Sequence, residues 1–373
     1  MSKQPKYKSP KYFLEEDGAF VIQNYNFSKP FANFFPGIAG EYGIPLWVFY
    51  VNRGQCVSGF GIKDKDHAIS EFFPANKTWQ LTPSLGFRSF LKIISGNKSI
   101  FYEPFHNGRL QEKLRLRNAM FITSYDLTLK EENHSLGLAI EINYFPIPNE
   151  RFAALARIVK IKNISRNKKR IQFLDGLPQV IPYGVSNRFL KKIGRTAEAW
   201  MKARLVGNSG AFYKLDVDPT DRPEVIFVKA GNFYASFAKP IIDPEAVFGP
   251  RLNFDYPYHF LKEKFFNYPK NQIGESKTPA AMALADLELK SGEEKSLPSL
   301  FGNVRNLELL KSCLGRIKKE EYLLVKKREN KEIIQKLQND IETQSSSAEF
   351  NFYCRQTYLD NVIRGGYPII FDS

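Results

Sequence analysis

The sequence predicts a mainly β chain, a large antiparallel β-sandwich followed by a helical linker. Three observations predict it. Short alternating apolar segments recur from about Tyr12 to Phe301, with turn signals between them. Phe and Tyr, which favour strands and broad packing faces, number 32 and 18 in 373 residues. Beyond Asn306 the apolar period changes from that of a strand to that of a helix.

The strand segments come in order as "AFVIQNYNF", "PLWVFYVNR", "GFRSFLKII", "NAMFITSYDLTLK", "LGLAIEINYFPI", "ALARIVKIKNIS", "RIQFLDGLPQVI", "EVIFVKAG" and "FYASFA". Turn signals punctuate them at Asp17-Gly18, Asn52 to Gly54, Gly96-Asn97, Asn107-Gly108, Asn149-Glu150, Asn163 to Lys169, Gly207-Asn208 and Ser291-Gly292. Several strands are expected to pair with their sequence neighbours, as in an antiparallel sandwich. The polar run between "ARIVKIKN" and "RIQFL" is expected to be a hairpin turn. The stretch from Gly54 to Pro83, "GQCVSGFGIKDKDHAISEFFPANKTWQLTP", is expected to run strand–turn–strand.

From Asn306 to Glu342 the spacing predicts one long helix or two, with Gly315 as a possible break. Leu309, Leu310, Cys313, Leu314 and Ile317 share one face, and Ile334, Leu337 and Ile341 another. A polar "TQSSS" joint follows at Thr343–Ser347, then an apolar, aromatic tail. The expected organisation is a sandwich over residues 1–304, a helical linker over 305–347, and the start of a further domain over 348–373.

A net charge of +15 raises the question of nucleic acid. The basic residues are spread along the chain and no nucleic-acid motif accompanies them, so no nucleic-acid partner is expected. Three widely spaced cysteines, Cys56, Cys313 and Cys354, form neither a disulfide framework nor a zinc motif, and fit a reducing cytoplasm. The N-terminus is basic and polar, without the apolar core of a signal peptide. No apolar run reaches membrane-spanning length, so no membrane partner is expected.

The four histidines lack metal-ligand spacing, and no phosphate loop, dinucleotide fingerprint or nucleophile elbow occurs, so no metal or cofactor is expected. Asp64 and Asp66 form the most suggestive acidic pair, with His67 beside them. On a strand the two carboxylates would share a face and grip a cation or sugar hydroxyls; in a hairpin loop they would be solvated. Asn76, Lys77, Trp79 and Gln80 form a second polar and aromatic group, in which Trp79 either stacks on a sugar or packs in the core.

Taken together, the run "NFFPGIAGEYGIPLWVFYVNRGQCVSGFGIKDKDHAISEFFPANKTWQLTPSLGFRSFLK", with "IVKIKNISRNKKRIQFLDGLPQVIPYG", "DPEAVFGP" and "YLDNVIRGGYP", resembles the N-terminal region of bacterial glycoside phosphorylases of the cellobiose phosphorylase and β-1,3-glucan phosphorylase type, like those of glycoside hydrolase family 94. The resemblance implies a galactose-mutarotase-like super-sandwich, a helical linker and then an (α/α)6 barrel that carries the general acid Asp. It implies inverting phosphorolysis of β-glucosides, with inorganic phosphate as co-substrate. The chain stops at Ser373, about where the barrel is expected to begin, so no catalytic residue is carried over. The expectation is a non-catalytic portion that is inactive alone, or else a free-standing carbohydrate-binding module. The partners implied are a β-glucan or oligosaccharide and a separately encoded barrel chain. Without that barrel, the linker's apolar stripe and the aromatic tail would be exposed and favour self-association. An Arg of the sandwich is implied at the acceptor sugar. Arg188 and Arg195, in the loop after "DGLPQVIPYG", are the candidates, because a guanidinium forks to vicinal hydroxyls.

Overall fold

The computed structural model describes residues 9–96, 98–106, 114–219, 223–251 and 253–366. The basic N-terminal octapeptide, Asn97, the Asn107-Gly108 turn and the last seven residues lie outside these. Strands are numbered along the chain. One sheet of ten strands has the order β1 (Lys11–Leu14), β2 (Phe20–Gln23), β9 (Leu116–Ile122), β10 (Leu127–Asn133), β11 (Leu138–Ile147), β12 (Phe152–Asn163), β19 (Glu294–Val304), β16 (Gly231–Ala235), β15 (Gly210–Leu215) and β14 (Met201–Val206). A five-stranded sheet has the order β17 (Pro240–Ile241), β18 (Ala281–Leu289), β13 (Lys169–Leu177), β7 (Arg88–Ser95) and β8 (Lys98–Tyr102). A four-stranded sheet has the order β3 (Ala32–Ala39), β4 (Ile44–Val51), β5 (Val57–Ile62) and β6 (Ala68–Ser70). The fold is the mainly β antiparallel sandwich that the alternation predicts.

Period-2 alternation sets what lies between the layers. Met120, Leu129, Ile142, Leu155 and Val159 of the large sheet meet Val48 and Phe60 of the four-stranded sheet and Leu91, Phe173 and Ala283 of the five-stranded one in a single core. Phe87 packs against Phe60, Tyr144 and Phe301, with centroids 5.9, 5.4 and 4.9 Å away. Each such buried ring contributes roughly 1.5–3 kcal/mol through the apolar surface it removes from water.

One ion pair crosses this core. Arg157 of β12 and Asp175 of β13 are fully buried and 2.6 Å apart. The guanidinium also donates to the Tyr144 hydroxyl, to Gln55 Oε1 and to Ser89 Oγ. Five donors in a fixed fork thus tie the large sheet, the five-stranded sheet and the β4–β5 turn together, and no charge is left without a partner.

The polar run after β12 is not a hairpin. β12 pairs with β11 and β19, whereas β13 pairs with β18 and β7, so the chain leaves one sheet and enters the other. The link from β18 to β19 makes the same passage alongside. Asn163 fastens the two arches, donating through Nδ2 to the carbonyls of Asn167, Leu289 and Lys290. "EVIFVKAG" is not a strand either. It makes one isolated bridge, Val217 with Phe227, and Val225 and Phe227 stay 72% and 71% exposed.

Helices α1 (Ala75–Leu85) and α2 (Asn187–Ile193) carry the segments after β6 and β13. The stretch from Gly54 to Pro83 does run strand–turn–strand, β5 pairing antiparallel with β6, and helix α1 then follows where the sequence predicts no helix. Pro83 lacks the amide that would reach the Trp79 carbonyl, and Arg53 donates to that carbonyl instead at 3.4 Å. Helices α3 (Glu245–Phe248) and α4 (Tyr258–Lys262) cover the outer face of the five-stranded sheet.

The linker forms two helices, α5 (Leu307–Ile317) and α6 (Glu320–Gln338), and the break falls at Lys318 and Lys319 rather than at Gly315. Their apolar stripe is not exposed. Leu310, Cys313, Leu314, Ile317 and Leu323 pack on Phe145, Phe212, Phe233 and Leu300 of the large sheet's outer face. Glu150, in the β11–β12 turn, accepts from both Arg316 terminal nitrogens at 2.9 and 2.8 Å and lies 3.3 Å from Lys326. After the joint, α7 (Ala348–Ile363) packs Leu359 and Ile363 with Ile334 of α6 against Ile38 and Trp47. The aromatic tail is open in part, with Phe350 52% and Tyr353 67% exposed.

Candidate functional site

Strand β4 alternates between two environments. Leu46, Val48 and Tyr50 enter the core, so Trp47 and Phe49 stand on the outer face of the four-stranded sheet. Register adds Phe34 beside Phe49 from β3, and Gly59 and Gly61 beside Phe49 and Trp47 from β5. The two glycines are there because a ring lies on them. A Cβ at Gly59 would fall 2.8 Å from the Glu71 carbonyl and 3.1 Å from the Phe72 ring, and one at Gly61 would fall 2.9 Å from that ring. Phe72 meets Phe49 edge-on at 5.4 Å, and Phe34 lies 5.4 Å from Phe49 and 5.8 Å from Trp47.

Around these rings is a cleft of about 600 Å³ whose walls include Trp47, Phe49, Phe72 and Phe73. Its polar rim has three sources. The turn after β5 contributes Lys63, Asp64 and Lys65, helix α1 contributes Thr78, and the end of α7 contributes Arg364. The Arg364 guanidinium lies 5.2 Å from the Trp47 centroid and 5.3 Å from that of Phe34, and its Nε donates to Asp360 at 3.0 Å. The Trp47 indole N–H donates to the Lys63 carbonyl at 3.0 Å, which fixes the turn to the aromatic floor.

Asp64 heads the short 3-10 turn Lys65–His67. Its Oδ1 accepts from the Asp66 amide at 2.9 Å and lies 2.7 Å from His67 Nδ1. Partial burial opposes its ionisation, but the His67 ring and that amide hold its carboxyl below the ordinary range.

The structure therefore places Asp64, Asp66 and His67 together in the turn between β5 and β6, not on a strand. The face-sharing arrangement that would let the two carboxylates hold a cation is not what is observed. Asp66 instead accepts from the Asn187 amide at 2.9 Å and anchors the start of α2, where Arg188 is exposed but does not line the cleft. Arg195 falls in the 3-10 segment Gly194–Trp200, and its side chain lies outside the described residues. Trp79 faces away from the cleft. Its indole N–H donates to Asn52 at 3.1 Å, and the Arg53 guanidinium lies 4.2 Å from the ring. Sequence reasoning missed Trp47, Phe49, Phe72 and Arg364. The available signal was the "GFG" of β5, two glycines on one face of a strand beside an aromatic strand.

Among the described residues, no group of three or more His, Cys, Asp and Glu side chains is placed to hold a metal ion. Nor is any described helix long and apolar enough to cross a membrane.

No family model matches the chain, and no curated protein matches it. Solved structures do. A putative kojibiose phosphorylase from the human microbiome is 11% identical with a TM-score of 0.35, the match covering 95% of this chain and 39% of that one. A bacterial glucoamylase complexed with acarbose is 9% identical with a TM-score of 0.44, covering 88% and 39%. A galactose mutarotase-like protein from Clostridium acetobutylicum is 9% identical with a TM-score of 0.39, covering 80% and 98%. The chain thus spans about two fifths of the phosphorylase and glucoamylase chains.

Proposed function

We propose that this chain binds an oligosaccharide in the cleft over Phe49 and Phe72. One observation carries the reading: aromatic rings stand open to solvent beside a rim of charged and hydroxyl groups. Pyranose rings present C–H faces that pack on aromatic faces, while their hydroxyls need polar partners. A volume of about 600 Å³ is of the size that small-ligand sites have. Asp64 at the rim is a hydroxyl acceptor held ionised by its neighbours.

The finer reading is the non-catalytic N-terminal sandwich of a glycoside phosphorylase, acting on a β-glucan with a separately encoded barrel chain that supplies the general acid and the phosphate site. It rests on the sequence resemblance and on the order sandwich, helices, further helix. A free-standing binding module is favoured by a different observation, the burial of the α5–α6 stripe on the sandwich itself. We place the protein in the cytoplasm because its cysteines, Cys56, Cys313 and Cys354, are free; cell fractionation tests that.

Calorimetry with laminari- and cello-oligosaccharides tests the reading. Binding is expected, and Phe49→Ala should weaken it at least about tenfold. No heat at millimolar concentration from any oligosaccharide, neutral or acidic, overturns it. Mixing the chain with the neighbouring gene product, glucose 1-phosphate and an acceptor separates the two finer readings: phosphate release only in the mixture supports the split phosphorylase.

A further inference from the structure

The rim of the cleft is biased toward positive charge. Lys63, Lys65 and Arg364 line it, against the carboxylate of Asp64, which already serves His67 and the Asp66 amide, and that of Asp360 behind Arg364, so the unpaired charge is that of the two lysines. Lys63 and Lys65 are exposed, and neither has an ion-pair partner among the described residues. Arg364 lies over Trp47 and Phe34, so its charge is held at the cleft mouth by the floor itself.

The turn that presents the two lysines is tied to β4 and holds a left-handed residue. The Lys63 amide donates to the Pro45 carbonyl at 2.7 Å, and its carbonyl accepts from Trp47. Its φ is +69°, a left-handed conformation in which glycine would be the less costly residue. The bonds on either side of the residue fix the backbone from which its side chain leaves, at the mouth of the aromatic cleft.

Building on the oligosaccharide reading above, we infer that the cleft takes anionic glycans, chains bearing uronate carboxylates or sulfate esters. One sugar ring lies on Phe49 and Phe72. Its acidic group meets the ammonium groups of Lys63 and Lys65 and the guanidinium of Arg364, all of which are donors only. The net charge of +15 draws such chains in from a distance, and the aromatic floor distinguishes them from other polyanions.

The test is calorimetry on the whole chain with oligogalacturonate, a sulfated oligosaccharide and a cello-oligosaccharide of matched length. An acidic chain should bind at least about tenfold more tightly than the neutral one at low salt, with the gap narrowing as salt rises. The double variant Lys63→Gln, Lys65→Gln should bring the acidic sugar down to the neutral level and leave the neutral sugar unchanged. Phe49→Leu, which keeps an apolar side chain at the floor, should weaken both. The sulfated and uronate arms tell which acid is preferred. If the neutral sugar binds as tightly as either acidic one, the inference falls and the oligosaccharide reading stands. If no sugar binds, both fall. Acidic binding that survives the lysine variants, or that inorganic polyphosphate matches, is general attraction to a basic chain and overturns the inference.

Discussion

The two smaller sheets both turn an aromatic outer face away from the core, and they treat it differently. On the five-stranded sheet, Arg88, Phe90 and Lys92 of β7 point outward, yet all are buried. Phe248, Phe260 and Phe266 close over Phe90, Leu174 and Met282. Carbonyls of the covering segment take the cations: Glu263 accepts from Lys92 Nζ at 2.5 Å, and the Phe254 carbonyl accepts from Arg88. Arg88 also forks onto Glu103. On the four-stranded sheet, Phe72 and Arg364 lie beside Phe34, Trp47 and Phe49, α7 covers Trp47 from one side, Phe49 stays open, and the neighbouring lysines face water. Phe90 is 0% exposed and Phe49 is 37% exposed. Composition does not separate core from cleft here; coverage by a distant segment does.

The sharpest way to break the comparison is to truncate one ring on each sheet. Phe260→Ala should cost about 3–5 kcal/mol in chemical denaturation, because it opens a cavity under a closed cover. Phe49→Ala should cost under about 1 kcal/mol, since its ring is already partly in water, while sugar binding weakens at least about tenfold. Equal stability losses at the two positions would erase the distinction.

A smaller effect sharpens the covered side. Tyr102 of β8 donates to Glu131 of β10, and so does the Phe105 amide at 2.9 Å, a tie between the five-stranded and ten-stranded sheets. Burial pushes the Glu131 carboxyl up to about 7 from its ordinary 4.5. The folded state then holds a proton that the unfolded chain releases, so this group's contribution to stability falls as pH rises from about 4.5 to 7. Glu131→Gln keeps an acceptor oxygen without the charge. It should raise the melting temperature at pH 8 by a few degrees and leave it nearly unchanged at pH 4, on the order of 1–3 kcal/mol at the higher pH. A pH-independent shift would show that packing, not ionisation, governs the site.

The smallest effect lies on the open side. Lys63→Gly should stabilise the fold by about 1 kcal/mol, because it relieves the left-handed φ. The same variant should weaken acidic-glycan binding several-fold. A destabilised variant would mean that the turn carries no strain.

Much of the fold was legible because alternation reports burial directly. The outward Trp47 and Phe49 follow from "PLWVFYV" once β4 is assigned, and the sandwich follows from strand count and turn residues. What was not legible depends on partners far along the chain. Helix α1 contains β-branched Thr78 and Thr82 and an interior Pro83, all unfavourable to helix. It holds because both hydroxyls bond back to preceding carbonyls and Arg53 reaches the carbonyl that Pro83 leaves open. The run at Asn163 to Lys169 has hairpin chemistry, yet each flanking strand finds other neighbours. "EVIFVKAG" has strand composition, yet it pairs only briefly, around Val217, with backbone bonds to Asp216 and Asp218. The linker stripe was rightly read as apolar, but its counterpart is the back of the sandwich itself, which no local pattern names. At the candidate site, the acidic turn drew attention through its charges, whereas the rings that make the cleft read individually as core.

The position of β19 has a consequence for how the chain is made. It lies at the middle of the ten-stranded sheet, between β12 and β16, and Phe152 pairs with Val304. It is also the last of the described strands in chain order. Until β19 is made, β12 and β16 each present an unsatisfied row of amides and carbonyls, one of them on a strand that is almost wholly buried in the finished fold. The nascent sandwich therefore remains two open halves until β19 closes them, and a ribosome stalled before residue 294 holds a chain primed to pair with its neighbours.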